Sequence, residues 1–364
     1  MTIAVDLDLV QLAAFDASGA DGFDGHEQVA LVRHSASGLH AIVAIHSTHL
    51  GPAAGGVRRW AYRSQSQALT DALRLSRGMS YKNAMAGLAA GGGKAVVIAD
   101  APKTDALLGA FGDAVALLGG RYITAEDVGM TEHDMVVVAQ RTAHVAGLPV
   151  AAGAVGGNPG PFTARGVLAG IKAAVQHKLG RDDLKGVHVT VQGVGSVGGA
   201  LARALAAEGA RLTLADVDAP RAAALAAQLG AAHVPVGAIL GLAADVFSPN
   251  ALGAILTETS IAALDVAIVA GAANNQLATA EDGARLAARG ILYAPDYVIN
   301  AGGIISVVAE YLAKTKDAPV SLGRVNAAAD AIGPRLSALF AEADLQGLPT
   351  DVVADRTAQA LIGR

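Results

Sequence analysis

HVTVQGVGSVGGALARALAAEGARLTLADVD, running from His188 to Asp218, is the stretch from which the fold is read. It opens as a short apolar run and passes through G-x-G-x-x-G at Gly193, Gly195 and Gly198. It continues as an Ala/Leu helix pattern and ends in a second apolar run closed by Asp216. A lone glycine triplet is weak evidence, but strand, glycines, helix, strand and acid in this order describe a dinucleotide-binding unit. Gly193 permits the tight turn, Gly195 lets a pyrophosphate approach the backbone, and Gly198 lets the helix pack closely on the strand. The helix N-terminus, entered through Ser196 and Val197, favours negative charge. Asp216 is placed to accept hydrogen bonds from the adenosine ribose and to repel a 2′-phosphate, so the cofactor expected is NAD rather than NADP.

Working outward, the strand and helix rhythm continues through Ala244–Asn250, Val266–Asn275 and Ile291–Asp296. Two of these runs end in asparagines, Asn250 and the pair Asn274 and Asn275, at the sheet edge where α/β proteins bind ligands. From Gly302 the chain reads as helical, with glycines and apolar residues suited to lining a cleft at the helix start. Upstream, a helix over Pro161–Leu179 follows a Gly/Pro-rich passage, Gly147–Thr163, which is the strongest domain boundary in the chain. Before that boundary, Glu27–His34 and Leu39–Thr48 around Ser35–Gly38 read as a hairpin. From Ser66, the spacing of Ala68, Leu69, Ala72, Leu73, Leu75 and Met79 gives an amphipathic helix ending near Lys82 and Asn83. Asp105–Leu118 reads as another helix, and Thr131 as the N-cap of a third. His46 and His49 are three apart on a strand and so face opposite ways, which argues against a shared metal ion; no metal site is expected.

The chemistry converges on SYKNAMAGLAAGGGK, Ser80 to Lys94. Lys82 and Lys94 bracket small residues that end in Gly91, Gly92 and Gly93. The glycines suggest a loop of strained φ that a ligand can approach closely. One ammonium would sit at a helix end and the other at the foot of the AVVIA strand, an arrangement suited to anion binding and proton transfer. The bland alternative is two solvated lysines beside a loop. A free lysine has a pKa of about 10.4, too high for a base near neutrality; burial and a second ammonium, Lys82, are the effects that could lower it. GPAAGGVRRW, Gly51–Trp60, carries a glycine pair that suggests either backbone close to a ligand or an ordinary turn, and Asp127 falls just beyond a strand.

Composition narrows the class. At 364 residues the chain exceeds the usual size of one core, so two domains are expected. With 52% hydrophobic and 16% charged residues it is globular. A net charge of −5 offers no field for nucleic acid, and zero cysteines exclude disulfides and thiol chemistry. MTIAVDLDLV has acids where a secretory signal has bases, and no apolar run reaches the length of a membrane span. The expectation is a cytoplasmic protein.

The motifs GPAAGGVR, SRGMSYKNAMAG, GGGKAVV, TAEDVGM, GNPGPFTARGV, QGVGSVG, AGAANNQL and YAPDYVINAGG together make the chain resemble the leucine, valine, phenylalanine and glutamate dehydrogenase family, most of all its leucine and phenylalanine branch. The resemblance spans nearly the whole chain. It implies an α/β fold with a substrate and oligomerisation domain over 1–148 and a Rossmann-like NAD domain over 149–330. Helices over 331–364 would pack back across the domains, and the active site would lie in a cleft that closes on ligand. It implies Lys82 as the anchor of the substrate α-carboxylate and Lys94 and Asp127 as the catalytic pair. Asn275, with Asn274, would hold substrate, and Thr163 would lie near the nicotinamide amide. Gly193, Gly195, Ser196, Val197, Gly198, Asp216, Asn250 and Asn274 complete the cofactor set. By the same resemblance Ala54, Gly55, Met79, Ala125, Ile304 and Val307 line the substrate side.

The implied reaction is reversible, NAD-dependent oxidative deamination of an apolar L-amino acid to its 2-oxo acid and ammonia, by a homo-oligomer. Glutamate is disfavoured, because Ala54 stands where glutamate dehydrogenases carry a lysine for the distal carboxylate, and an unpaired buried charge is costly. Ala54 is also smaller than the leucine typical of leucine dehydrogenases, which leaves room in the pocket. Branched aliphatic substrates come first and phenylalanine second. Two other readings stand beside this one. A 2-hydroxy-acid dehydrogenase would need a histidine base, and none adjoins these motifs. A silent dinucleotide-binding regulator would have no use for Lys82, Lys94 and Asp127.

Overall fold

The computed structural model describes residues 9–150, 155–315 and 320–364. Residues 1–8, on which the reading of the chain's start rests, and 151–154 in the Gly/Pro-rich passage lie outside the described residues. The chain divides into two compact units: Met1–Asn158 with Ser306–Leu322 and Ala358–Arg364, and Pro159–Ile305 with Gly323–Thr357. The break falls inside the Gly/Pro-rich passage, ten residues after the boundary read from sequence. The C-terminal stretch is shared, through Thr357 with the second unit and from Ala358 with the first.

The first unit contains β1 (Gln11–Ala14), β2 (Gln28–His34), β3 (Leu39–Ser47), β4 (Ala53–Ala54), β5 (Val57–Trp60), α1 (Gln65–Met85), β6 (Gly91–Ile98), α2 (Asp105–Leu117), β7 (Tyr122–Ile123) and α3 (Glu132–Ala139). The expected hairpin is present: β2 and β3 pair antiparallel from Gln28↔Ile45 to His34↔Leu39, with Gly38 at φ +72 in the turn. The sheet order is β1-β2-β3-β6-β4-β7, and β5 continues along the β6 edge after β4. Every residue of β6 is buried, as a central strand covered on both faces requires. Alternation then assigns the faces. Ile42, Ala44, Val96 and Ile98 pack with Ala68, Leu69, Ala72 and Leu73 of α1. Val43, Ile45, Ala95 and Val97 pack with Leu107, Phe111 and Val115 of α2 and Met135 and Val138 of α3. Thr131 caps α3 through a reciprocal capping box with Asp134.

The glycine run is not the strained loop expected from sequence. Gly91, Gly92 and Gly93 lie within β6, and none has positive φ. What forbids a side chain is packing: a Cβ on Gly92 would fall 2.0 Å from the Ser80 backbone nitrogen, and one on Gly91 1.9 Å from the Ser47 carbonyl oxygen. The glycines let α1 and β3 press against the strand. Lys94 is accordingly the fourth residue of the strand rather than its foot.

The second unit opens with α4 (Gly160–Leu179), β8 (His188–Gln192), α5 (Ser196–Ala207), β9 (Arg211–Ala215), α6 (Ala219–Leu229), β10 (Ala232–His233), β11 (Ala244–Pro249), α7 (Glu258–Ala263), β12 (Val266–Val269), α8 (Glu281–Ala288) and β13 (Leu292–Tyr293). It continues with α9 (Asp296–Ile299), α10 (Gly302–Thr315), α11 (Leu322–Asp330), α12 (Ile332–Gln346) and α13 (Thr350–Leu361), the chain passing to the first unit within α10 and again within α13. Its six strands are all parallel in the order β10-β9-β8-β11-β12-β13. Numbered from β8, that is the 3-2-1-4-5-6 order of a doubly wound dinucleotide fold. β12 ends at Val269, so Asn274 and Asn275 lie in the loop beyond it rather than at the strand end. No described helix is long and apolar enough to cross a membrane.

Candidate functional site

In the first unit, the site is assembled at the edge of β5. Val57 donates its N–H to the Ala125 carbonyl at 2.8 Å and Arg59 its own to Val128 at 2.8 Å, so the segment carrying Asp127 runs alongside β5. Val57 belongs to the core against α2 and α3; by alternation Arg58 faces α1, as Lys94 does. Lys94 Nζ lies 2.7 Å from Asp127 Oδ2, and Arg58 Nε donates to the same oxygen at 3.2 Å. Arg58 also reaches Asp71 Oδ2 on α1 at 3.1 Å, and Asp71 accepts from the Tyr62 hydroxyl at 2.5 Å.

Two of the sequence-derived residues, Lys94 and Asp127, are thus brought together. Burial pushes the Lys94 ammonium below the usual lysine range, against the pull of Asp127. Burial acts to raise Asp127, but the Lys94 and Arg58 charges outweigh it and hold the carboxyl low. Arg58, a cation not foreseen from sequence, opposes the Lys94 charge. Lys82 sits in the last turn of α1, partly exposed. Arg58 and Asp71 were missed because the alternation of Val57, Arg58 and Arg59 was not followed, although VRRW carries that signal.

The glycine pair of GPAAGGVRRW also has a different cause from the one expected. A Cβ on Gly55 would meet the Gly93 oxygen at 1.9 Å and Met79 Cγ at 3.1 Å, and one on Gly56 would meet the Glu126 oxygen at 2.6 Å and Asp127 Cβ at 3.0 Å. The pair threads the chain between β6 and the Asp127 segment, and therefore sets the position of the ion pair. Ala54 is 0% exposed, so the room expected beside its small side chain is not water-accessible space. Ala125 is buried too. Ile304 and Val307 lie three residues apart on α10, Ile304 in the second unit and Val307 in the first.

In the second unit, the glycine loop does what its sequence requires. Gly193 has φ +88, and a Cβ on Gly198 would fall 1.9 Å from the Gly193 oxygen. A Cβ on Gly195 would meet nothing within 4 Å, so the space before α5 is open, and α5 begins at Ser196 and Val197 with no side-chain cap on its N-terminus. An open, uncapped helix start fits a pyrophosphate. Asp216 Oδ2 accepts from the Val194 N–H at 2.7 Å, which pins the loop to the second strand. Its Oδ1 accepts from the Asp218 N–H at 2.9 Å and from Arg221 at 2.8 Å. Arg221 was not foreseen; it also approaches Asp218 at 3.8 Å, so two carboxylates surround one guanidinium.

Of the remaining site residues, Asn250, Asn274 and Thr163 are braced by hydrogen bonds. Asn250 donates to Ser248 and accepts from the Ala272 N–H at 3.0 Å, tying the ends of β11 and β12 together. Asn274 Oδ1 accepts from Asn300 at 2.8 Å, while Asn275 is exposed at φ +51. The Thr163 hydroxyl donates to the Pro159 carbonyl at 3.1 Å in the first turn of α4. Among the described residues no group of three or more His, Cys, Asp or Glu is placed to hold a metal ion.

Comparison with known proteins gives a consistent result. The profile described as "Glu/Leu/Phe/Val dehydrogenase, dimerisation domain" matches residues 26–144, and that described as "Glutamate/Leucine/Phenylalanine/Valine dehydrogenase" matches residues 213–341. The chain is 45% identical to a leucine dehydrogenase of Geobacillus stearothermophilus over 93% of this chain and 90% of the relative. It is 45% identical to a valine dehydrogenase of Streptomyces coelicolor over 92% of each. Among solved structures, the L-tryptophan dehydrogenase of Nostoc punctiforme superposes with a TM-score of 0.81 at 42% identity, covering 93% of this chain and 96% of that one.

Proposed function

This chain belongs to the glutamate, leucine, phenylalanine and valine dehydrogenase family, and from that premise we propose that it oxidatively deaminates branched-chain L-amino acids with NAD, through Lys94 and Asp127. It is an amino-acid dehydrogenase acting on CH–NH2 donors with a nicotinamide dinucleotide. The observation that carries the assignment of roles is the Lys94–Asp127 pair at 2.7 Å, with the lysine buried. A nicotinamide dinucleotide, which Gly193, Gly195, Gly198 and the open start of α5 would hold, would supply the acceptor for the Cα hydride. Lys82 anchors the substrate carboxylate. Lys94, held low by burial, takes the proton released as the amine becomes an imine, and Asp127 holds the water that attacks the imine and relays its proton. The 2-oxo acid and ammonia leave. NAD is favoured over NADP because the two carboxylates at Asp216 and Asp218 outnumber the guanidinium of Arg221 at the end of β9. Assembly as a homo-oligomer is supported by the first matched profile, described as a dimerisation domain.

The test is the appearance of reduced cofactor when purified protein meets NAD or NADP with a panel of L-amino acids. Leucine, valine and isoleucine with NAD are expected to give the highest kcat/KM. The likeness to a tryptophan dehydrogenase puts phenylalanine and tryptophan in the panel as the second set. Glutamate as the best substrate would overturn the substrate reading, and equal use of NADP would overturn the cofactor reading.

A further inference from the structure

Resting on the reading of Lys94 and Asp127 as the reacting pair, we propose that Arg58 is a positioning residue: clamped by Asp71, its guanidinium holds the Asp127 carboxylate in place and remains its counter-ion when Lys94 gives up its proton. The geometry is a chain of contacts across three elements. Tyr62 donates to Asp71 at 2.5 Å, Asp71 accepts from Arg58 at 3.1 Å, and Arg58 and Lys94 meet on one oxygen of Asp127 at 3.2 and 2.7 Å. Lys94 can accept a proton only as the neutral amine. At that moment Asp127, whose side chain is 25% exposed, loses the charge of Lys94, one of the two cations that meet on its Oδ2 among the described residues. A carboxylate left alone in such a place would either draw the proton back onto Lys94 or take one itself. Arginine does not deprotonate in proteins, so the charge that remains is permanent. Its planar fork also bridges two carboxylates at once, which a lysine ammonium on a flexible stem does not reproduce.

The ionisable groups around the pair are consistent with this role. Lys94 comes from β6, Arg58 from β5, Asp71 from α1, Tyr62 from the turn after β5, and Tyr122 from β7. Asp71 acts on Lys94 in the opposite sense to Arg58, favouring its charged form. Tyr122 is neutral and engaged, donating to the Gly55 carbonyl at 2.6 Å. Arg58 is therefore the cation among them that does not change state with pH.

The experiment is the pH profile of kcat/KM for L-leucine oxidation with NAD, in Arg58→Gln, Arg58→Lys and Asp127→Asn, each checked for folding by its melting curve. Arg58→Gln is expected to move the acid limb upward by about one pH unit or more, so that activity below the limb falls about tenfold and recovers at higher pH. A uniform drop at every pH, or a profile that coincides with that of the unaltered enzyme, would overturn the proposal. Should Arg58→Gln fail to fold, Arg58→Lys carries the test. It keeps the charge and loses the bridge, and is expected to leave the limb in place while kcat falls several-fold at unchanged KM; a native kcat would overturn the proposal. Asp127→Asn separates the two levels: retained activity sinks the assignment of Asp127, whereas lost activity with an unmoved Arg58→Gln profile sinks the role of Arg58 alone.

Discussion

Lys94 holds its charge where the surroundings oppose it: 6% exposed, inside a strand whose every residue is buried, and balanced by one carboxylate that a guanidinium also claims. Such an amine is poised to lose its proton at a lower pH than a solvated lysine does. Lys82, on the last turn of α1 and partly exposed, has no comparable constraint from burial. The two lysines should therefore fail differently. Lys94→Ala is expected to lower kcat by about three orders of magnitude or more with a modest change in KM, as removal of a group acting in the transition state does. Lys82→Ala should act mainly on KM. Steady-state kinetics on L-leucine checks both, and a near-native kcat for Lys94→Ala would contradict its role.

At the scale of elements, two glycines of opposite purpose give a paired test. In β6, Gly92 has no room for a methyl group because the Ser80 backbone stands 2.0 Å from where its Cβ would be. Gly92→Ala must separate α1 from the strand, at a cost of about 2–3 kcal/mol, and the shift carries Lys94 with it. Before α5, Gly195 faces open space. Gly195→Ala should change stability by no more than about 0.5 kcal/mol, yet weaken dinucleotide binding if, as proposed, the pyrophosphate enters the open space before α5. Denaturation curves and cofactor titration together distinguish the two. Equal stability losses would show that Gly195 is a packing glycine like Gly92.

At the scale of the whole chain, the last residues return to the first unit, where Ala358 and Ile362 are buried. Arg364 donates to the carbonyls of Gly25 and His46 at 2.7 and 3.1 Å and meets His46 Nε2 at 2.8 Å. His46 Nδ1 is 2.8 Å from the Ser80 hydroxyl, and His26 stacks edge-on at 4.8 Å. Burial first, then the Arg364 and His26 charges, push His46 down from 6.5 to about 4, against the weaker pull of Asp24. Burial lowers His26 as well. Between pH 6.5 and about 4 the unfolded chain binds a proton at His46 that the folded chain refuses, so stability falls as pH drops through that window. The loss from this residue reaches about 3 kcal/mol at most. Unfolding midpoints at pH 7 and pH 5 should show it, and His46→Gln should flatten the slope even if it lowers stability overall. An unchanged slope in that variant would remove His46 as the cause.

The sequence by itself determined the dinucleotide unit, because strand, glycine turn, helix and acid are neighbours in the chain and their physics is local. Gly193 needs its positive φ and Gly198 its missing side chain whatever the rest of the protein does. Helix starts such as Thr131 and the hairpin over residues 28–47 were legible for the same reason. The tertiary structure alone decided what the glycines of β6 are for, since nothing local distinguishes a flexible loop from a strand pressed by a helix. It also brought Arg58 to Lys94. The two are thirty-six residues apart in sequence, yet Arg58 lies on the adjoining strand, whose alternation turns it toward the same oxygen of Asp127. Charges act through space, and strand pairing sets that distance.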